Sequence, residues 1–253
     1  MKILVCIKQV PDMESKFRLN AAGTWYSDQD LAWRMNEYDE YAVEQAVQLK
    51  EQSGGELVVL SLGPDRVKEA IKKALAMGAD RGVHLQDDQA HEKDPAAMAE
   101  AMAAYARGEA FDVIFTGMQS QDRGSAQVGL QLAERLGIHA VSTLVGFAWD
   151  GSTVTARREL EGGLKAVVKT TLPALFTCQL GLNTPRYPTL PNIMKAKKKP
   201  IDAQPAQTPA NLASTVKTAF PEKKAGGLVL EGEVGELADQ LIALLRQKTA
   251  VLA

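Results

Sequence analysis

The chain has 253 residues, 45% hydrophobic and 24% charged, which is typical of a globular protein with a sizeable buried core. The formal net charge of −2 and the aromatic content of 6% argue against nucleic acid and acidic membranes as partners. No window approaches the roughly 20 apolar residues of a bilayer span, and no cleavage signal follows the first strand, so we expect no membrane insertion and a cytoplasmic location.

The first half of the chain alternates short apolar runs with helical patterns. Strands are predicted at residues 2–10, 56–62, 82–85 and 111–116, and helices at residues 36–52, 96–107 and 125–136 and after Asp65. Helix N-caps are expected at Asn36, Asp65, Asp94 and Ser125, and a helix end at Gly137.

This alternation predicts an α/β fold with a doubly wound, mostly parallel sheet, Rossmann-like or adenine nucleotide alpha hydrolase-like. Ligands of such sheets bind at the carboxyl ends of strands, where the strand order reverses. The loops after Ile7, Leu62 and Thr116 are therefore the first candidates for a binding site.

The second half contains shorter β patterns, at residues 145–147, 153–155 and 165–170, followed by an apolar strand at residues 173–179. We expect them to extend the same sheet rather than to form a second domain. The two cysteines, Cys6 and Cys178, lie in apolar strand patterns and are predicted to be buried, reduced thiols.

After Leu182 the apolar pattern fades. Residues 201–224 have no period and cannot bury a core of their own, whereas residues 234–248 form an amphipathic helical pattern. We expect an α/β nucleotide-binding domain over residues 1–200 and an arm with a terminal helix, residues 201–253, that packs on a partner subunit. The alternative is a flexible tail whose helix packs on its own domain.

The loop at residues 117–129 follows a predicted strand and opens a predicted helix. Gly117, Gly124 and Gly129 permit tight turns and close approach to a ligand, and the free amides at a helix start suit an anion. The loop is neither the dinucleotide fingerprint nor a P-loop. Taken alone it is a weak signal, because an ordinary turn with Ser125 as the cap would look similar.

Four longer stretches carry a family resemblance: NEYDEYAVEQA at residues 36–46, ALAMGADRG at 74–82, RELEGG at 158–163 and LNTPRYPTLPNIMKAKK at 182–198. They resemble the beta subunit of electron transfer flavoproteins. The resemblance runs from residue 1 to about residue 200, and the last stretch is long and specific to the family.

The resemblance implies a heterodimer without substrate chemistry in this chain. The alpha subunit carries a redox FAD that the beta subunit helps to enclose. Electrons come from dehydrogenases, such as acyl-CoA dehydrogenases of fatty acid oxidation, and leave to a quinone-linked or other acceptor. The beta subunit binds AMP, or a second FAD in the electron-bifurcating branch of the family. The resemblance implies no catalytic residue and no metal.

It also assigns residues to sites. Main chain near Cys6 and Leu62 would frame the adenine, and the loop amides with Ser125 and Gln127 would hold the phosphate. Tyr38 falls near the flavin, and Glu159 at the interface of subunit and flavin. The full set of nucleotide positions is Cys6, Asn36, Glu37, Tyr38, Asp39, Leu62, Gly117, Met118, Gln119, Ser120, Gln121, Asp122, Arg123, Gly124, Ser125, Ala126, Gln127 and Val128.

Residues 183–199, here called the recognition segment, match the loop by which the family docks on dehydrogenases. Leu190 falls on its exposed apolar anchor, and Lys195 with the lysines at 197–199 would steer an acidic partner surface. Composition alone would equally allow Leu190 to fold back on its own subunit and the lysines to form an ordinary solvated surface. The docking positions are Tyr187, Leu190, Pro191, Ile193, Met194 and Lys195.

Some motifs differ between the two branches of the family. The recognition segment and RELEGG look like the ordinary carriers, whereas the opening KQVPD and the loop sequence SAQVG look like the bifurcating branch. We expect AMP, with a second FAD as the alternative.

Two other functions fit the sequence less well. A nucleotide α-hydrolase or ATP pyrophosphatase needs a Ser-Gly-Gly-x-Asp-Ser loop after its first strand, and the one Ser-Gly-Gly here, residues 53–55, lies at a helix end before Glu56. A stand-alone nucleotide-binding stress protein docks on no partner subunit, so the recognition segment and the arm would be unexplained.

Overall fold

The computed structural model describes residues 1–222 and 226–250, and its helices and strands alternate over most of that part of the chain. In chain order they are β1 (Lys2–Ile7), β2 (Gln9–Pro11), β3 (Trp33–Met35), α1 (Glu37–Ser53), β4 (Glu56–Gly63), α2 (Lys68–Met77), β5 (Arg81–Gln86), α3 (Pro95–Ala106), β6 (Val113–Gly117), α4 (Val128–Leu136), β7 (His139–Trp149), β8 (Thr153–Glu159), β9 (Lys165–Thr171), β10 (Ala174–Cys178), α5 (Leu190–Ala196), β11 (Ile201–Pro205) and α6 (Val234–Lys248).

One sheet of nine strands organises the chain, in the order β11-β5-β4-β1-β6-β10-β7-β8-β9. Neighbours from β11 to β7 are parallel, and β8 and β9 continue the sheet in antiparallel fashion. The strand order reverses at β1, which lies between β4 and β6. The doubly wound, mostly parallel sheet and its mixed extension are both confirmed.

Side chains along β1 alternate between two apolar layers. Ile3 and Val5 pack in the layer that contains α1 and α2, and Leu4 and Cys6 pack in the layer that contains α3 and α4. Because both faces of the parallel strands are covered, their sequences are almost continuously apolar. Cys6 and Cys178 are buried and unpaired, as predicted.

The strand predicted over residues 2–10 is wrong at its end. β1 stops at Ile7, because the Lys8 backbone N–H donates to Asp39 Oδ2 at 2.6 Å rather than to a neighbouring strand. Residues 9–11 instead pair antiparallel with β3 in a separate two-stranded sheet. The carboxylate that ends the strand is remote in sequence, so the local pattern gives no sign of it.

The helix boundaries predicted at Asp94 and Gly137 are confirmed, whereas that at Asp65 is wrong. Asp94 caps α3 by accepting a hydrogen bond from the Ala97 N–H at 2.7 Å, and Gly137 ends α4 in the left-handed region. Asp65 does not cap α2, because it begins a 3₁₀ turn, Asp65–Val67, and α2 follows that turn.

The segment predicted to be structureless, residues 201–224, begins with a strand. Ile201–Pro205 forms β11 at the edge of the sheet, beside β5, so the prediction is wrong for these residues. The sequence Ile-Asp-Ala-Gln-Pro does not show the apolar pattern of a strand, because Ile201 is its only residue that packs against the core. Residues 206–222 form no helix or strand, as predicted, and Lys223 and Lys224 lie outside the described residues.

The chain divides into two compact units, Met1–Thr218 and Ala219–Ala253. In the first unit the arm is tied down beyond β11: Asp94 Oδ2 accepts the Leu212 and Ala213 N–H groups at 2.6 and 2.9 Å. The second unit contains α6, which confirms the predicted terminal helix, and no residue of this helix is buried.

Candidate functional site

A cleft opens at the carboxyl ends of β1, β4 and β6, where the strand order reverses, and we call it the strand-end cleft. Its empty volume is about 1100 Å³, including its open mouth. Glu37, Tyr38, Gln121 and Gly124 lie outside its lining. The other predicted nucleotide positions all line it: Cys6, Asn36, Asp39, Leu62, Gly117, Met118, Gln119, Ser120, Asp122, Arg123, Ser125, Ala126, Gln127 and Val128.

The loop of residues 117–129 turns back on itself before it reaches α4. The Gly124 N–H donates to the Ser120 carbonyl at 2.8 Å, and Gly124 has a φ of +60°. A Cβ at Gly124 would meet no atom closer than Gln119 Oε1 at 3.8 Å. Gly124 therefore supplies the left-handed turn that aims the following residues at the cleft, and its own position is exposed.

The helix predicted to begin at Ser125 begins at Val128, because Ala126 has a φ of +52° and cannot be helical. Gln127 precedes α4, and no side chain caps it. In the described part of the chain, the backbone N–H groups of Ser125, Ala126 and Gln127 donate to no acceptor. A run of free amides at a helix start that lines a cleft is an anion-binding arrangement.

Asn36 joins the start of α1 to this loop. Its Nδ2 donates to the Gln119 carbonyl at 2.8 Å, and its Oδ1 accepts the Gln121 N–H at 3.0 Å. Asn36 is the N-cap residue of α1, as predicted, but its side chain makes no cap hydrogen bond because both of its polar atoms bond to the loop. Glu37 and Tyr38 hold the same loop from outside, through Gln121 Nε2 at 2.9 Å and Gln119 Nε2 at 3.1 Å.

Asp39 links two strand ends at the base of the cleft. Its Oδ2 accepts the Lys8 N–H at 2.6 Å, and its Oδ1 accepts the Gly117 N–H at 3.1 Å. Burial raises the pKa of this carboxyl to about 7, although both hydrogen bonds oppose the shift. Gly117 is required here, because a Cβ would lie 2.2 Å from Asp39 Oδ1.

An ion pair lies in the cleft wall beside these strand ends. Lys8 Nζ contacts both carboxylate oxygens of Asp122 at 2.7 Å, and the Asp122 side chain is 3% exposed. Burial lowers the pKa of Lys8, while Asp122 acts in the opposite direction. The Tyr26 hydroxyl also donates to Asp122, at 3.4 Å. The pair fixes the loop of residues 117–129 to the end of β1.

The aromatic wall of the cleft was not predicted from the sequence. Trp25 and Tyr26, in the excursion between β2 and β3, line it together with Trp33 at the start of β3. The guanidinium of Arg66 lies 3.7 Å from the Trp33 ring centroid, and that of Arg123 lies 4.5 Å from the Trp25 ring. The available signal was that two of the three tryptophans of the chain stand close together in a short polar stretch.

Three buried polar atoms of residues in the cleft lining have no partner in the described residues. They are the acceptor Gln9 Oε1 and the donors Trp25 Nε1 and Arg66 Nε. Leaving such atoms unpaired costs free energy, so their presence favours a ligand that supplies a donor and an acceptor. With the free amides and an apolar side formed by Cys6, Leu62 and Met102, the lining fits a nucleotide: a planar base, a hydrogen-bonding edge and an anion.

The recognition segment presents apolar side chains to the outside of the subunit. Tyr187 is 94% exposed and Leu190 is 72% exposed. Residues 190–196, predicted to be a loop, form α5, because Thr189 caps the helix and Pro191 stands in its first turn. The remaining docking positions are exposed as well: Pro191, Ile193, Met194 and Lys195. Lys199 is not free to steer a partner, because its Nζ donates to the Leu75 and Ala79 carbonyls at 3.0 and 2.5 Å.

Glu159 lies exposed at the end of β8, away from the lining of the cleft. Its Oε2 accepts a hydrogen bond from Gln179 Nε2 at 3.0 Å. In the ranges that the structure describes, no His, Cys, Asp and Glu side chains cluster as metal ligands, and no helix is long and apolar enough to cross a membrane.

The chain is similar in sequence to known proteins of one family. The profile of the electron transfer flavoprotein domain matches residues 24–209. The chain is 36% identical to electron transfer flavoprotein subunit beta of Bacillus subtilis over 266 residues, 100% of both chains. It is 37% identical to the protein of that name from Syntrophomonas wolfei (99% and 98% covered) and 36% identical to that from Mus musculus (98% and 97% covered).

Proposed function

Because this chain belongs to the beta subunits of the electron transfer flavoprotein family, we propose that it forms a heterodimer with an alpha subunit and helps to enclose the FAD of that subunit. Electrons would arrive from dehydrogenases, such as acyl-CoA dehydrogenases, and leave to a quinone-linked or other acceptor. The subunit itself performs no substrate chemistry. The observation that carries the proposal is the strand-end cleft, whose lining suits a nucleotide.

AMP is the proposed occupant of the cleft. The free amides of Ser125, Ala126 and Gln127 would hold its phosphate, because they stand at the start of a helix and point a positive dipole at the cleft. The ends of β1 and β4, at Cys6 and Leu62, would frame the adenine. Asn36 and Asp39 would act from behind, by fixing the loop and the strand ends that meet the ligand.

Docking of the dehydrogenase is assigned to the recognition segment. Leu190 is the most exposed apolar side chain of the short helix α5, where Ile193 and Met194 are also exposed and Lys195 adds a charge. An apolar anchor with a polar rim is the arrangement that carries binding energy at protein interfaces. Glu159, exposed at the end of β8, is proposed to face the alpha subunit and its flavin.

A second FAD in the cleft is the other candidate, with electron bifurcation as its function. The observation that favours it is the aromatic wall, because Trp25, Trp33 and the stacked Arg66 extend the cleft beyond the predicted nucleotide positions. A planar ring system attached to the adenine nucleotide could lie against that wall.

Flavin stoichiometry separates the two candidates. The chain is co-expressed with its alpha subunit, and flavin is counted by visible absorption per heterodimer. One flavin that a reduced acyl-CoA dehydrogenase bleaches supports the ordinary carrier, and two flavins support the bifurcating one. A stable subunit that forms no complex with any alpha subunit and binds no flavin would contradict both.

A further inference from the structure

We propose that Arg186 is the positioning residue of the recognition segment: its guanidinium clamps the segment to α1 and thereby fixes the direction in which Leu190 projects. The inference rests on the proposed docking function, and it concerns a residue whose guanidinium bonds to α1.

Arg186 makes more polar contacts than any other described residue of the segment. Its Nε and Nη2 donate to Glu44 Oε2 and Oε1 at 2.8 and 3.1 Å, and its backbone N–H donates to Glu44 Oε2 at 3.2 Å. Nη1 and Nη2 also donate to the two carboxylate oxygens of Glu51 at 2.6 and 3.1 Å. Only a planar guanidinium can hold two carboxylates in this way, so lysine cannot replace it.

The carboxylates of Glu44 and Glu51 differ in burial, and the buried one contributes more to holding the segment. The Glu44 side chain is 4% exposed, whereas that of Glu51 is 58% exposed. Water and salt screen the outer pair, which therefore contributes little. The inner pair is shielded, and Gln48 Nε2 fixes the Glu44 carboxylate further by donating to Oε1 at 2.8 Å.

The location of the clamp gives it control over Leu190. Asn183 Nδ2 anchors the segment to the Tyr41 carbonyl at 3.1 Å, and Lys199 anchors its far end to α2. Between Arg186 and Ala196, the described residues hydrogen-bond only within the segment, as in the Thr189 cap. Arg186 is thus the last residue before Leu190 that hydrogen bonds tie to another element, four residues away, and the far end of α5 packs on α2 through the buried Ala196.

The test measures the KM of a purified acyl-CoA dehydrogenase for the heterodimer. The variant Arg186→Gln/Glu44→Gln removes the clamp without leaving a buried charge unpaired, and Glu51→Gln is the matched control for the outer pair. We expect the first to raise KM about tenfold with kcat unchanged, and the control to change KM less than about twofold. Arg186→Lys keeps the positive charge but loses the two-pronged guanidinium geometry. Its KM should lie between those of the wild type and the clamp-less variant.

Combination with Leu190→Ala shows whether the clamp acts through the anchor. Leu190→Ala alone should raise KM roughly thirtyfold, and adding the clamp-less pair should raise it no further, because a misplaced anchor and an absent one are equivalent. Additive losses, near three-hundredfold, would overturn the inference, as would a clamp-less KM within about twofold of the wild type. A wild-type KM for Leu190→Ala would instead remove the docking function itself, and the inference with it.

Discussion

The strand-end cleft is enclosed by backbone from several strands and helices, whereas the recognition segment is held by polar side chains near its ends and by the packing of α5, through the buried Ala196, against α2. In the cleft, Asp39 accepts hydrogen bonds from the ends of two strands, and Asn36 makes two hydrogen bonds to the loop of residues 117–129. Each of these side chains therefore holds more than one backbone segment in place. In the recognition segment, the side chains of Leu190 and Tyr187 are largely exposed. Substitutions in the cleft should therefore cost stability, and substitutions of the exposed anchor should cost only binding.

The largest expected effect is that of Gly117→Ala. The new Cβ would lie 2.2 Å from Asp39 Oδ1 and 2.8 Å from Tyr38 Cβ, so α1 must move away from β6. Such overpacking typically costs about 3 kcal/mol. We expect a lower melting temperature of the heterodimer and loss of its adenine nucleotide.

Gly124→Ala is the matched control, because it adds the same methyl group in open space. Its cost comes only from the φ of +60°, about 1 kcal/mol. If both variants melted alike, close packing at Gly117 would not support the cleft, and the contrast between the two regions would lose its main evidence.

The opposite behaviour is expected of Leu190→Ala. Truncation of an exposed side chain changes stability by no more than roughly 0.5 kcal/mol. Truncation of a docking anchor typically costs about 2 kcal/mol, or roughly thirtyfold in affinity for the dehydrogenase. The measurement is the rate of flavin reduction at sub-saturating heterodimer, with melting temperature and nucleotide content as controls. A large drop in melting temperature would mean that Leu190 belongs to the core of the complex.

Asp39→Asn tests the base of the cleft through pH. The amide accepts only one of the two N–H groups that the carboxylate accepts, so the variant should be less stable by about 1–2 kcal/mol. Burial raises the pKa of Asp39 to about 7 from its ordinary value of 3.8, so between these values the folded state binds more protons than the unfolded state.

The wild type therefore loses stability as pH rises through that window, and the variant does not. The deficit in melting temperature should shrink from pH 4.5 to pH 7 and stay constant above it. A deficit that stays constant from pH 4.5 upward would show that Asp39 is already ionised in the folded protein at pH 4.5.

The smallest expected effect is that of Trp25→Phe. The ring still stacks under Arg123, but the unpaired indole N–H is lost. If that N–H donates to the bound nucleotide, retention of the nucleotide on dialysis should fall several-fold, equivalent to about 1 kcal/mol, at an unchanged melting temperature. Unaltered retention would place the ligand away from the aromatic wall.

The sheet and the position of the cleft could be predicted from sequence because both follow from regular patterns. Strands such as Glu56–Gly63 are buried on both faces and read as apolar runs, and their carboxyl ends must meet where the order reverses. The cap role of Asp94 was equally predictable, since its side chain accepts a hydrogen bond from the N–H of Ala97, only three positions away.

Features that depend on distant partners could not be predicted. Lys8 leaves the strand because Asp39 takes its N–H, and α4 starts late because Ala126 adopts a positive φ within a loop held by Asn36. β11 has no apolar period because an edge strand needs little burial. The aromatic wall lies in an irregular excursion, where no periodicity marks the side chains that face inward.

The most direct test of the account is the identity of the nucleotide in the cleft. The heterodimer is purified, its small molecules are released with acid, and they are identified and counted by chromatography. The account predicts one AMP and one FAD per heterodimer. Two FAD and no AMP would transfer the chain to the bifurcating candidate, and one FAD without any second adenine nucleotide would contradict the assignment of the strand-end cleft as a nucleotide site.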